Sequence, residues 1–319
     1  MGKVLITASH YETLCSSAKK LLEDNGHEVI LNKSDMPYYS FDDLKELVGD
    51  VDAAIIGMDT WNEEVFKISP KLKVIARFGV GVDNIDLNAA KKYGIKVTNA
   101  RGQNSNAVAE LAVAYMLAIL RSVPQLNSDL KNGDWRRFVG HDIMGKTVGL
   151  IGFGDIARKV AKKISGFGVR IIACDVFPNL DAAKEIGVKI VDEDTVLSES
   201  DIVSIHIPSI KETFHYMGKE RFSKMKHGSY FINTARGALV DTEALCDAVE
   251  SGHIAAAATD VYENEPLRKG SRIASIPNII TTPHTGAETY ETYSAVSLTT
   301  AKAVIDVLSG KDPENWINK

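Results

Sequence analysis

Three side chains with complementary acid–base chemistry follow predicted strands in the second half of the sequence. Arg236, Glu265 and His284 each come a few residues after a short run of strand length. An imidazole can give or take a proton near neutral pH, and a neighbouring carboxylate stabilises its protonated form and fixes its tautomer. A guanidinium binds a substrate carboxylate and polarises a ketone. Each residue alone is more often an ordinary loop or surface side chain, but the ordered trio predicts proton transfer on a small carboxylate-bearing substrate.

A glycine-rich turn earlier in the chain predicts a dinucleotide site. Val148–Ile151 has the length of a buried parallel strand, and residues 152–157 read GFGDIA, which matches the fingerprint G-x-G-x-x-G/A. Gly152 permits the tight turn, and Gly154 lets the backbone approach a pyrophosphate. The helix that begins near Asp155 directs its free N–H groups and the positive end of its dipole at the phosphates.

A carboxylate at the end of the next strand predicts which dinucleotide binds. Arg170–Asp175 is that strand, and Asp175 stands 18 residues after Ala157. A carboxylate there accepts hydrogen bonds from the adenosine ribose hydroxyls and repels a 2′-phosphate. Residues 176–178 contain no arginine that would bind such a phosphate. The sequence therefore favours NAD over NADP.

Four segments after the glycine turn end predicted strands, and they are expected to meet at one edge of a sheet. They are Ile205–Pro208, Thr234–Gly237, Asp260 and Pro283–Gly286. Ligands of open α/β sheets bind outside the carboxyl ends of the strands. We therefore expect the trio to lie beside a nicotinamide ring, which predicts hydride transfer between NAD and an alcohol or ketone. His206 is expected either to lie against the cofactor or to pack in the core.

The composition is that of a globular chain long enough for two domains. The chain has 319 residues, of which 45% are hydrophobic and 25% charged, and its net charge of -5 predicts no basic face for nucleic acid or an anionic membrane. Its three widely spaced cysteines predict reduced thiols, no metal site and a cytoplasmic location. The longest nearly apolar run, Ala107–Leu120, is shorter than the roughly 20 residues that span a bilayer.

Two alternations of strand and helix predict an α/β protein with two doubly wound parallel sheets. The strand candidates of residues 1–100 are Lys3–Ala8, Glu28–Leu31, Ala53–Gly57, Lys73–Arg77 and Ile95–Thr98, with helical patterns such as Glu12–Asn25 between them. A long helix, Asn104–Arg121, precedes the glycine turn, and an amphipathic helix, Thr292–Leu308, follows the second alternation. We predict a Rossmann NAD domain, residues 101–288, inserted in a flavodoxin-like domain formed by residues 1–100 and 289–319.

Several motifs, in order, resemble those of the D-isomer-specific 2-hydroxyacid dehydrogenases, and most closely those of the 3-phosphoglycerate dehydrogenase branch. The resemblance extends from Leu72 to the C-terminus. Besides the glycine fingerprint, it rests on RFGVGVDNID (77–86), NAVAEL (106–111), NTARG (233–237), ATDV (258–261), ENEP (263–266) and TPHTG (282–286). So many motifs in one order make the resemblance specific.

The resemblance implies an NAD-dependent oxidoreductase that interconverts a D-2-hydroxy acid and its 2-keto acid, acting as a homodimer. It implies that Arg236, Glu265 and His284 are catalytic, and that residues 1–100 and 289–319 form the substrate domain. Implied substrate-binding residues are Arg77, Val80 and Gly81. The expected cofactor contacts are Gly152, Gly154, Asp155, Ile156, Asp175, His206, Pro208, Thr234, Ala235, Asp260 and Gly286.

Departures from the phosphoglycerate branch leave the substrate open. Gly57 stands where that branch often has an arginine, and Val80 stands where it often has threonine. Arg136 and Arg137, in contrast, match a basic stretch that in the phosphoglycerate branch can reach the partner's active site. Phosphoglycerate stays a candidate beside glyoxylate, hydroxypyruvate and pyruvate, the last as in a D-lactate type reductase. Glu265 argues against formate oxidation, whose enzymes pair the histidine with glutamine. An alternative from another class is a non-catalytic NAD-sensing interaction protein, similar to the C-terminal-binding corepressors.

Overall fold

The computed structural model describes residues 1–31 and 38–319. Over these residues the strands are β1 (Lys3–Ile6), β2 (Glu28–Leu31), β3 (Ala53–Ile56), β4 (Val74–Arg77), β5 (Lys96–Thr98), β6 (Thr147–Ile151), β7 (Arg170–Cys174), β8 (Lys189–Ile190), β9 (Ile202–Ile205), β10 (Ser229–Asn233), β11 (Ile254–Thr259) and β12 (Ile279–Thr281). The helices are α1 (Tyr11–Leu14), α2 (Ser16–Asp24), α3 (Phe41–Leu47), α4 (Glu63–Lys67), α5 (Leu87–Lys92), α6 (Ser105–Arg121), α7 (Val123–Lys131), α8 (Asp155–Ile164), α9 (Leu180–Ile186), α10 (Glu193–Glu199), α11 (Lys219–Lys224), α12 (Thr242–Glu250), α13 (Arg272–Ser275) and α14 (Tyr290–Leu308).

The chain divides into two compact units. Unit 1 consists of Met1–Asn104 and Ala287–Lys319, and unit 2 consists of Ser105–Gly286. The polypeptide therefore leaves unit 1 once, completes unit 2 as one continuous segment, and returns to contribute α14 to unit 1.

Unit 1 is built on a parallel sheet with the described strand order β2-β1-β3-β4-β5. Every side chain of β3 is buried, because helices cover both faces of the sheet and the strand therefore reads as a continuous apolar run. Leu22 of α2 and Val304 of α14 pack in the cluster on one face, and Leu44 of α3 and Ala90 of α5 pack in the cluster on the other. This is the flavodoxin-like order that the sequence predicted.

Unit 2 is built on a second parallel sheet, with the described order β12-β11-β10-β9-β6-β7-β8. The order reverses between β6 and β9, which are hydrogen-bonded neighbours from Val148 to Ile151. Helices α6 and α8 supply the core of one face, with Met116 and Val160 fully buried. Helices α10 to α12 cover the other face. The predicted Rossmann architecture is confirmed, and its switch point lies directly after the glycine turn.

The structure differs from the sequence predictions at several elements. The predicted helix Glu12–Asn25 is two helices, because Cys15 leaves the helical region with φ -120° and ψ 31°. Strand β8 has only two residues, too few to give a periodic signal. Among the described residues, no single helix has the length and apolar character to cross a membrane; α6 and α7 meet that criterion only as a pair bent by 62°.

A glycine in the centre of β6 makes a close contact that can be tested by mutation. A Cβ on Gly149 would lie 2.1 Å from the Ser200 hydroxyl oxygen and 2.8 Å from a Val196 methyl group. We expect Gly149→Ala to lower the free energy of unfolding by about 2 kcal/mol, because the strand and α10 must separate. Urea denaturation measures this. Gly166→Ala, at a position with open space, is the control and should change stability much less.

Candidate active site

Glu265 and His284 form a hydrogen-bonded pair. Glu265 Oε2 lies 2.6 Å from His284 Nδ1, and Oε1 of the same carboxylate accepts the Tyr262 N–H at 2.9 Å. Both carboxylate oxygens are therefore held, and the carboxylate fixes the direction of the ring. Since Nδ1 is engaged by Glu265, Nε2 is the imidazole nitrogen available to exchange a proton with a substrate.

The Glu265 carboxylate is stabilised in its ionised form. Burial disfavours the charge, but the hydrogen bond and charge of His284 outweigh it, together with the Tyr262 N–H and the charge of Arg236, so the pKa of Glu265 is lowered. An ionised carboxylate next to the ring stabilises an imidazolium, and this allows His284 to serve as a proton donor.

The His284 loop is held by the aspartate that directly follows β11. His284 has the left-handed φ of 51°, and its N–H donates to the Asp260 carbonyl oxygen at 2.9 Å. The Asp260 carboxylate is 1% exposed and accepts the N–H groups of Thr285 at 2.8 Å and Gly286 at 2.7 Å. Burial raises the pKa of Asp260, and this effect exceeds the opposite effect of these hydrogen-bond donors.

The Arg236 loop packs directly on the segment that leads to Glu265. A Cβ on Gly237 would lie 1.9 Å from the Tyr262 carbonyl carbon, so the two main chains touch where only glycine fits. Asn233 Nδ2 donates to the Arg236 carbonyl oxygen at 2.9 Å and fixes the turn after β10. The positive charge of Arg236 helps to lower the pKa of Glu265. The structure thus brings the predicted trio together in unit 2.

The glycine turn has the geometry that a dinucleotide needs. Gly152 has φ +89°, and a Cβ there would lie 2.8 Å from the His206 carbonyl oxygen. Gly154 precedes α8, and none of the described residues caps the helix N–H groups with a side chain. Apart from the chain neighbours of Gly154, no described residue lies within 4 Å of where its Cβ would be. Asp175 accepts the N–H groups of Phe153 at 2.6 Å and Phe177 at 2.8 Å, which orients its carboxylate at the end of β7.

One buried hydroxyl at this edge of the sheet has an unmet hydrogen-bonding capacity. Over the residues that the structure describes, Thr234 Oγ1 has no hydrogen-bond partner, so a bound polar group could satisfy it. Together with the glycine turn and Asp175, this residue fits NAD. The other expected cofactor contacts lie at the same edge: Asp155 and Ile156 in the first turn of α8, Pro208 after β9, Ala235 after β10 and Gly286 after β12.

His206 is held as a neutral ring. Its Nε2 lies 2.9 Å from the Ser204 hydroxyl, and burial lowers the pKa of His206 to about 4. A ring that stays neutral at physiological pH does not supply a proton there. Its contact with the cofactor stays a prediction.

The expected substrate-binding residues lie in unit 1, after β4. Arg77 donates to the Phe78 carbonyl oxygen, and the Val80 carbonyl oxygen accepts Asn99 Nδ2 at 2.8 Å. The Gly79 carbonyl oxygen accepts the Ala100 N–H at 2.8 Å. These bonds fix the loop from Phe78 to Gly81, so its backbone N–H groups have defined directions.

Sequence reasoning missed a second histidine–glutamate pair. His215 Nε2 lies 2.9 Å from Glu263 Oε2, and Glu263 Oε1 accepts the Thr242 N–H at 3.0 Å. The sequence gives His215 no functional role, because its partner lies 48 positions away and no local pattern joins them. The proximity of Glu263 to Glu265 in the ENEP motif was the only available signal.

The chain is similar to known proteins over most or all of its length. The family model described as "D-isomer specific 2-hydroxyacid dehydrogenase, NAD binding domain" matches residues 113–286. The chain is 40% identical over 319 residues to the D-3-phosphoglycerate dehydrogenase of Archaeoglobus fulgidus, covering 99% of this chain and 59% of that relative. It is 39% identical over 286 residues to the glyoxylate reductase of Thermococcus litoralis, covering 86% of each.

A solved structure agrees over nearly the full length. The TT0316 protein from Thermus thermophilus has a TM-score of 0.90 and 34% identity, covering 99% of both chains. The chain belongs to the D-isomer-specific 2-hydroxyacid dehydrogenase family. Its cofactor is NAD, and unit 2 contains the matched NAD-binding domain.

The position of Asp175 predicts the cofactor preference. Because the carboxylate repels a 2′-phosphate, we expect Asp175→Asn to reduce the preference for NADH over NADPH about tenfold. Fluorescence titration with each nucleotide gives the two dissociation constants. Asp181→Asn, which makes the same charge change on an exposed residue in the first turn of α9, is the control. An unchanged ratio in Asp175→Asn would contradict the role of this carboxylate.

Proposed function

We propose that the protein is an NAD-dependent oxidoreductase that interconverts a D-2-hydroxy acid and its 2-keto acid. The observation that carries the proposal is the 2.6 Å pair of Glu265 and His284 beside Arg236, within a domain of the NAD-binding family. The chain spans 59% of the length of the phosphoglycerate dehydrogenase to which it is similar, so the activity of the whole protein is part of this proposal.

In the reduction direction, each member of the trio has one task. The nicotinamide, when bound, supplies hydride. Arg236 orients the substrate carboxylate and polarises the carbonyl, and its guanidinium suits both tasks. His284 Nε2 donates the proton that the carbonyl oxygen needs, while Glu265 stabilises the imidazolium and holds the ring. In oxidation the neutral imidazole takes the hydroxyl proton instead.

We also propose substrate contacts in unit 1. The backbone N–H groups of Val80 and Gly81 are candidates to bind the carboxylate, and the fixed loop after β4 supports this because it needs no reordering on binding. Arg77 is the proposed side-chain ligand in the same segment.

The substrate is proposed to be a small 2-keto acid or 2-hydroxy acid, with 3-phosphoglycerate among the candidates. One relative of comparable similarity is a phosphoglycerate dehydrogenase and another is a glyoxylate reductase. Gly57, which follows β3, offers no cation for a phosphate. Its N–H donates to the Thr7 hydroxyl at 3.1 Å.

Steady-state consumption of NADH tests the proposal. With glyoxylate, hydroxypyruvate, 3-phosphohydroxypyruvate and pyruvate as the panel, we expect turnover of at least one acid. We expect His284→Ala to lower kcat roughly 10² to 10⁴-fold, because general acid catalysis is lost. His215→Gln is the matched control, since it removes an imidazole from the other histidine–glutamate pair, and it should retain most activity.

Two results would contradict the proposal. Retained turnover in His284→Ala would exclude His284 as the acid. Binding of NADH by the wild type without turnover of any acid would instead support the NAD-sensing alternative.

We further propose that the protein is a homodimer, joined through the segment from Leu117 to Met144. This segment exposes large apolar side chains, including Trp135 at 82% and Val139 at 93%. Phe138 and Val123 are also exposed in this segment. A stable monomer rarely exposes so many apolar groups in one stretch, whereas a second copy would bury them.

The dimer can be tested by placing a charge in this segment. We expect Val139→Asp to shift the protein from dimer to monomer, because a carboxylate would have to be buried in the interface. Sedimentation velocity measures the oligomeric state. Tyr290→Asp changes an exposed aromatic residue at the start of α14, outside the segment, and should leave the dimer intact. A wild type that sediments as a monomer would contradict the proposal.

A cytoplasmic location is also proposed. Cys15, Cys174 and Cys246 are free thiols. Burial raises the pKa of each to about 11, so they stay protonated and weakly reactive. Such cysteines are typical of proteins in a reducing compartment.

A further inference from the structure

A series of hydroxyl groups connects helix α6 to the loop that carries His284. Tyr115, in α6, is 4% exposed, and its hydroxyl is hydrogen-bonded to the Thr282 hydroxyl. The Thr282 hydroxyl donates to Asp260 Oδ1. We call Asp260 and its three donors, Thr282, Thr285 and Gly286, the Asp260 clasp.

The direction of each hydrogen bond in this series follows from the charge at its end. An ionised carboxylate can only accept, so the Thr282 hydroxyl hydrogen points at Asp260. The Thr282 oxygen can then only accept from its other neighbour, and the Tyr115 phenol is therefore the donor. Hydrogen bonds arranged in one direction polarise and strengthen each other. The phenol thus stabilises the carboxylate without touching it.

The Asp260 clasp determines the conformation of His284. Its donors lie on both sides of the histidine, at Thr282 before it and at Thr285 and Gly286 after it. His284 itself has φ 51°, a left-handed conformation that is unfavourable for a residue with a side chain and persists only where the surroundings impose it. The Asp260 and Thr282 carbonyl oxygens accept its N–H at 2.9 Å and 3.0 Å.

We propose that Tyr115 is a positioning residue for His284, acting through Thr282 and the Asp260 carboxylate. The inference rests on the proposed function, because it assigns a task to a residue that supports the proposed acid. Tyr115 does not reach the reacting atoms; it keeps the Asp260 clasp closed, and the clasp directs the imidazole to Glu265.

Because the clasp is formed around the charge of Asp260, the positioning of His284 depends on pH. Burial raises the pKa of Asp260, while Thr282, the two N–H donors and the charge of His284 lower it. Within the part of the chain that the structure describes, the titratable groups that interact with Asp260 are His284, Tyr115 and Tyr262. Removing the Tyr115 phenol would destabilise the ionised Asp260 carboxylate. Protonation of Asp260 would then open the clasp at a higher pH.

A double-mutant cycle with Tyr115→Phe and Thr282→Val tests the proposal. We expect Tyr115→Phe to lower kcat about threefold to tenfold and to move the acid-side loss of activity to higher pH. In the Thr282→Val background the same change should have almost no further effect, since the connection is already broken. Thr282→Ser, which keeps the hydroxyl, should restore the wild-type pH profile.

Tyr230→Phe is the matched control. Tyr230 lies in the same core cluster as Tyr115, and its replacement should leave kcat and the pH profile unchanged. Equal effects of Tyr115→Phe in the wild-type and Thr282→Val backgrounds, or an unshifted pH profile, would show that Tyr115 only fills space, and would overturn the proposal.

A second readout separates this inference from the proposed function. The NMR resonances of the His284 ring, identified by their loss in His284→Gln, report the clasp without any substrate. We expect Tyr115→Phe to change their chemical shifts and Tyr230→Phe to leave them unchanged. An enzyme without turnover but with this NMR response would refute the proposed function and retain the positioning role. Unchanged chemical shifts of the His284 ring in Tyr115→Phe would refute the positioning role.

Discussion

The contact between Gly237 and the main chain at Tyr262 determines where the chemical groups of unit 2 can lie. Two backbones approach so closely that a methyl carbon on Gly237 would lie only 1.9 Å from the Tyr262 carbonyl carbon. One backbone carries Arg236 and the other leads to Glu265, so a guanidinium and a carboxylate are fixed relative to each other by packing. The hydrogen bond from Glu265 to His284 then adds the imidazole. One backbone contact and one hydrogen bond thus relate three groups from three loops.

Charges in this site are tolerated because each has a compensating neighbour. Glu265 is partly buried, yet it is held in the ionised form by His284 and Arg236. Asp260 is almost fully buried and accepts two backbone N–H groups and a hydroxyl. Burying either carboxylate without these donors would cost several kcal/mol. The same bonds that offset this cost also set the geometry.

The sequence predicts features whose signal is local. The turn at Gly152 and the carboxylate at Asp175 follow from spacing within one strand–helix–strand unit, and the parallel sheets follow from the alternation of elements. The break at Cys15 could not be predicted, because the residues on both sides of it favour a helix. The pairing of His215 with Glu263 and the bond from Tyr115 to Thr282 join residues 48 and 167 positions apart. Such contacts depend on the tertiary fold, and no periodicity in the sequence encodes them.

The two ends of unit 2 lie side by side. A Cβ on Gly286, its last residue, would be 3.5 Å from a methyl group of Val108 in its first helical turn. Because unit 2 is folded and its ends are adjacent, the chain leaves unit 1 and returns to it at neighbouring ends of the inserted segment. A large folded segment with adjacent ends can be inserted into unit 1 without changing the register of its strands. The junctions at residues 104–105 and 286–287 are therefore suitable sites for circular permutation.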